Sequence, residues 1–76
     1  MNREIIGLRI RKLREDRGYT REQLAEVSNL SSKFIYEIES GKKGFSAETL
    51  EKFRNVFCVS CDYIMLGEAG ERGIIL

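Results

Sequence analysis

Cys58 and Cys61 are the only thiols in the 76-residue chain, and their C-x-x-C spacing is the first chemistry to weigh. A redox pair of this kind follows a strand and opens the helix beside it, yet no strand pattern occurs anywhere in the sequence. A zinc site needs four ligands, and two cysteines with no histidine leave it incomplete unless two chains share an ion. The cysteines fall at the end of one helical segment and in the first turn of the next. Two small buried core residues are therefore expected there, with a thiol switch or a shared metal as the alternatives. The missing histidine also removes the commonest activator of a serine or cysteine nucleophile. Gly41-Lys42-Lys43-Gly44 is too short and wrongly placed for a nucleotide loop. No carboxylate pair stands apart from basic neighbours. The expectation is a protein that is not an enzyme and uses no cofactor.

What remains is charge. Thirteen basic and twelve acidic residues give a net charge of +1, which by itself points nowhere. The distribution is uneven: residues 1–21 hold seven basic against three acidic groups, and residues 44–76 hold three against five. Such asymmetry lets one face meet a polyanion, although a solvated charged helix explains the N-terminal run about as well.

Seventy-six residues make one small domain, and the absence of proline favours helices joined by short turns. No apolar run approaches the ~18 residues of a membrane span, and no signal peptide is evident, so an intracellular, cytoplasmic chain is expected. Caps and spacing predict five helices. The first runs from about Arg3 to Arg17, with Ile6, Ile10 and Leu13 inward and Gly18 as its stop. Thr20 opens the second, with Gln23 completing a capping box, and Leu24 and Ala25 face inward. Asn29 tolerates the left-handed turn that ends it. Ser31 or Ser32 caps the third, which carries Ile35 and Ile38 and stops at Gly41. Ser46 caps the fourth, with Leu50, Phe53 and Phe57 inward. Ser60 caps the fifth, which ends at Gly67, with Asp62 in its first turn where the helix dipole favours an anion. Residues 67–76 read as a flexible tail.

The second and third segments form the strongest pattern. Leu24, Leu30, Ile35 and Ile38 fall where two short helices on a tight turn would share a core, and Ala25 is small where they cross. That spacing fits a helix-turn-helix over about residues 21–40, whose second helix can enter a DNA major groove, although any small helical bundle needs similar spacing.

Four blocks carry a family resemblance, in order and at suitable intervals: Thr20 to Glu26, Ser31 to Lys42, Ser46 to Leu50, and Val59 to Ile64. With them the chain resembles the Cro/repressor-type (XRE) helix-turn-helix family over about residues 6–66. The resemblance implies an all-α, five-helix bundle of the lambda-repressor-like DNA-binding type. It also implies a sequence-specific transcriptional regulator of a bacterium or phage, a repressor acting at the nucleoid as a homodimer on a palindromic operator. Double-stranded DNA is then the partner, a partner protein is a further option, and no membrane is involved. The competing class is a protein-interaction module such as an antitoxin or adaptor.

Carried onto this sequence, the resemblance makes Ser32, Lys33 and Glu37 the base-reading residues. Arg21, Ser31, Tyr36, Lys42 and Lys43 become phosphate contacts, and Arg14 with Glu39 a structural ion pair. Glu37 would accept from a cytosine amine or hold Lys33 through an i,i+4 pair. Asn29 replaces a frequent glycine, Phe45 a frequent proline and Arg54 a frequent alanine. Phe34 is expected to pack at the edge of the core, with contact to a thymine methyl as the alternative. Pairing of two chains is expected around Val59 and Tyr63, with Ile74, Ile75 and Leu76 packing on the partner or remaining disordered.

Overall fold

The computed structural model describes residues 2–67, and all regular structure among them is helical. The helices are α1 (Arg3–Asp16), α2 (Arg21–Ser28), α3 (Ser32–Glu39), α4 (Ala47–Phe57) and α5 (Cys61–Leu66). The five-helix expectation holds element by element. The tail beyond Gly67, with its Ile74-Ile75-Leu76 segment, lies outside the described residues.

Each start is fixed by a side-chain oxygen that accepts a backbone N–H three residues on: Asn2 from Ile5, Thr20 from Gln23, Ser31 from Phe34, Ser46 from Thr49 and Ser60 from Tyr63. These caps satisfy donors that a helix start would otherwise leave unpaired. At α2 the box is complete, since the Gln23 side chain also accepts from the Thr20 backbone N–H at 2.9 Å. Ser31, not Ser32, caps α3. Asn29 takes the left-handed conformation at φ +57°, which turns the chain from α2 into α3.

Ile6, Ile10 and Leu13 of α1, Leu24 and Ala25 of α2, Ile35 and Ile38 of α3, Phe53 and Phe57 of α4, and Ile64 of α5 make one continuous core. Leu30 and Leu50 pack against it only half-buried. Helix α1 lies against α3 and α5, α2 against α3 and α4, and α4 against α5. Recognition of this layout from spacing worked because inward residues recur at helical intervals. Phe45 anchors the loop between α3 and α4 by meeting Phe53 edge to face, with centroids 5.6 Å apart.

One expectation is corrected here. Cys58 is exposed, not buried, because it closes α4 in the left-handed region at φ +57° and its thiol leans only on the Asn55 carbonyl. Cys61, first residue of α5, is half-buried. Most side chains of the basic N-terminal run also make contacts within the fold. Arg9 donates to the Ile64 carbonyl at 2.8 Å and Arg17 to the Phe57 carbonyl, tying α1 to the ends of α5 and α4. Arg11 and Lys12 pair with Glu15 and Asp16 one turn on. The Arg11 hydrogen bond holds the Glu15 carboxyl below the usual glutamate range.

Candidate nucleic-acid interface

Helix α3 buries Ile35, Ile38 and Glu39 and turns Lys33 and Tyr36 to solvent, with Ser32 and Glu37 half-exposed beside them. Ser32 and Tyr36, and Lys33 and Glu37, are each four residues apart, so the four share one outward face. The sequence-derived base-reading set, Ser32, Lys33 and Glu37, is therefore brought together. Phe34 lies to the side, half-buried, and lines an open cleft of about 520 Å³ whose walls mix Ile6, Ile38, Phe45 and Met65 with polar Arg3, Lys43, Ser46 and Thr49. Its ring packs against the core from there.

A buried ion network fixes α3 from behind. Glu39 is 5% exposed and Arg14 is 7% exposed. The Arg14 Nε donates to Glu39 Oε2 at 2.6 Å and its Nη2 to Oε1 at 3.2 Å, while Nη1 donates to the Tyr19 carbonyl at 2.9 Å. A two-pronged guanidinium–carboxylate pair of this kind holds orientation as well as charge. The Arg14–Glu39 pair inferred from the resemblance is present, but it has a third member. Arg21, the first residue of α2, donates its Nε to Glu39 Oε1 at 2.9 Å. One carboxylate on α3 thus clamps α1 and α2 together. Sequence reasoning assigned Arg21 to phosphate alone. Its link to Glu39, eighteen residues away, carries no local signal.

The end of α3 is tied off by Glu37. Gly41 at φ +81° reverses the chain so that the Lys42 and Lys43 N–H groups both donate to the Glu37 carbonyl, at 2.9 and 3.2 Å. The Glu37 carboxylate pairs with Lys43 Nζ at 3.4 Å. Its partner is therefore Lys43 in the following loop, not Lys33 on its own helix. This pair leaves the Lys33 ammonium without an ion-pair partner among the described residues, facing outward.

Around this face stand Arg21, Lys42 and Lys43, with Tyr36 among them. The Arg21 guanidinium carbon and Lys42 Nζ each lie 5.5 Å from the Tyr36 ring centroid. Ser31 sits exposed at the start of α3, its Oγ accepting from the Phe34 N–H at 3.0 Å. The hydroxyl proton remains available to donate outward. The arrangement presents a half-polar helix face ringed by cations, which is what a polyanion with readable edges requires. Among the described residues no group of acidic, cysteine or histidine side chains could hold a metal ion.

A helix-turn-helix family model matches residues 10–64 of the chain. A competence pilus inhibition repressor of Acinetobacter baylyi is 38% identical over 61 residues, covering 80% of this chain and 56% of the repressor. The chain thus spans little more than half the length of that relative. The uncharacterized HTH-type transcriptional regulator YazB of Bacillus subtilis is 37% identical over 62 residues, covering 82% of this chain and 90% of YazB. Among solved structures, the N-terminal DNA binding domain of SinR from Bacillus subtilis superposes with a TM-score of 0.77 at 32% identity. That alignment covers 90% of this chain and 99% of the SinR domain.

Proposed function

This chain belongs to the XRE-type helix-turn-helix family, and from that premise we propose that it is a DNA-binding regulator of transcription. The observation that carries the reading is the outward face of α3, with Ser32, Lys33 and Glu37 accessible and Arg21, Lys42 and Lys43 gathered about it. In this reading α3 lies in the major groove. Ser32 and Lys33 meet base edges, the lysine donating to guanine O6 and N7. Glu37 accepts from a cytosine amine while Lys43, freed from it, turns to a phosphate. Arg21, Ser31, Lys42 and Lys43 make the phosphate-contacting rim, and the Tyr36 ring stands between Arg21 and Lys42 within it. A single domain reads only a few base pairs, and genomic competition demands a specificity ratio of ~10³–10⁷, so a homodimer on a palindromic operator completes the proposal. Val59, just before α5, and Tyr63 within it, both half-buried, are its interface candidates. A regulator of this type would act as a repressor in the cytoplasm, at the nucleoid.

Selection of bound duplexes from a random pool tests binding, half-site symmetry and spacing together. On the selected operator, Lys33→Ala should cost about 1–3 kcal/mol and relax preference at one position. Lys42→Ala should weaken all sequences alike. Glu37→Gln should change the selected base at its position. Uniform tightening on every sequence would remove Glu37 from base reading. Binding to random duplex must also fall steeply with salt. Negligible binding at low salt would mark a protein-interaction module instead. Sedimentation of the free chain tests the dimer separately, and a monomer at operator-binding concentrations in both free and bound states would overturn it.

A further inference from the structure

The Tyr36 ring has two cations over it, and they come from different elements. Arg21 opens α2 and Lys42 follows α3, yet both charges lie 5.5 Å from the one ring centroid. That is within the range at which an aromatic quadrupole attracts a cation. The two charges are consequently within twice that distance of each other, and like charges repel. Glu39 does not relieve this fully, because its carboxylate is already shared by Arg14 and Arg21. Counting Arg14, Arg21, Lys42 and Glu39 together, the cluster keeps an excess of positive charge. Lys42 makes no ion pair among the described residues. Arg21 commits its Nε to Glu39, and its Nη groups make no hydrogen bond among the described residues. Tyr36 itself is 46% exposed, so its ring is not there to fill the core.

We propose that Tyr36 is a positioning residue whose ring gathers Arg21 and Lys42 to share a single DNA backbone phosphate. The inference rests on the DNA-binding reading above and deepens it. The free protein tolerates two cations against one ring because the ring attracts each of them. A phosphate between them replaces that repulsion with attraction and takes the donors that Arg21 and Lys42 leave unused. The phenolic hydroxyl has no necessary part in this, so phenylalanine should serve as well as tyrosine.

The test is anisotropy of a labelled random-sequence duplex with the full chain over a range of KCl concentrations. Tyr36→Phe should bind within about twofold of wild type, with the same salt dependence. Tyr36→Leu should bind about five- to tenfold more weakly at low salt, as expected for two exposed cation–π contacts. Its slope of log affinity on log salt should be shallower by about one, the signature of one lost phosphate contact. Tyr36→Phe should keep the wild-type melting temperature, and Tyr36→Leu should lower it only by the two exposed contacts it loses, so binding is compared well below both transitions. Equal losses in Tyr36→Phe and Tyr36→Leu would overturn the inference in favour of a hydroxyl contact. An unimpaired Tyr36→Leu, or a loss with the wild-type slope, would also overturn it. A wild type that ignores duplex DNA at low salt would sink the DNA-binding reading itself, which these variant comparisons do not address.

Discussion

Glu39→Ala is expected to cost about 3–5 kcal/mol of folding stability, because it strips the partner from a buried guanidinium. Arg14 is 7% exposed and directs three nitrogens inward, two of them to Glu39. Without that carboxylate its charge stays buried, left with the Tyr19 carbonyl and a longer, 3.9 Å contact to the exposed Glu15. Arg21 loses its acceptor too, though it is partly exposed and can turn to water. A chain of this length holds roughly 4–11 kcal/mol in total, so the variant sits near the edge of folding. Arg21→Ala should be far milder, because Glu39 keeps both bonds from Arg14. Breaking a buried pair costs more than deleting it, so Arg14→Leu combined with Glu39→Leu should recover much of the loss. Urea unfolding of the four proteins by circular dichroism decides this. A Glu39→Ala loss under about 1 kcal/mol would mean that the pair is not buried in solution.

The parts of this molecule that could be read from the chain are those governed by neighbours within one turn. Thr20 and Gln23 signal a capping box because both bonds span three residues, and Asn29 signals a left-handed turn by its own side chain. Ile6, Ile10 and Leu13 fall on one face for the same local reason. The outward set Ser32, Lys33 and Glu37 follows once Ile35 and Ile38 are known to face in. Arg21 behaved differently: its tie to Glu39 depends on how α2 meets α3, which spacing does not encode. For Glu37 the i,i+4 rule offers Lys33 as one of two partners beside a cytosine amine, but the turn at Gly41 brings Lys43 back to it from beyond the helix. Cys58 misled because a left-handed cap is usually glycine or asparagine, so nothing in a cysteine announces it. Gly7 gave no signal either, since a glycine inside a helical pattern reads only as a weak point.

Gly7 is in fact the point where α1 and α3 touch backbone to backbone, and Gly7→Ala should expose this. A methyl group built there would lie 2.3 Å from the Ile38 carbonyl oxygen and 2.7 Å from that of Glu39. Neither atom is the end of a flexible side chain. Reaching an ordinary contact of 3.4 Å means moving one helix by about an ångström, against the core that Ile6, Ile10 and Ile38 build between them. On helix propensity alone the substitution would gain about 1 kcal/mol. Overpacking of a close crossing typically costs 1–3 kcal/mol and occasionally more, and a clash with two backbone carbonyls belongs at the upper end. The net loss should be at least about 2 kcal/mol. Leu8→Ala, at the neighbouring exposed position, should be nearly neutral and serves as the control. The displacement also has a functional consequence, because the carbonyls in question belong to the last turn of α3. Shifting that turn disturbs Glu39, and through it Arg21, while Lys33 keeps its side chain and charge. Gly7→Ala should therefore weaken operator binding even at temperatures where the variant is fully folded. Unfolding curves for Gly7→Ala and Leu8→Ala, with operator titrations below both transitions, separate the two effects. A Gly7→Ala protein as stable as wild type would mean that the helices do not approach this closely, and the link from α1 to the recognition face would fall with it.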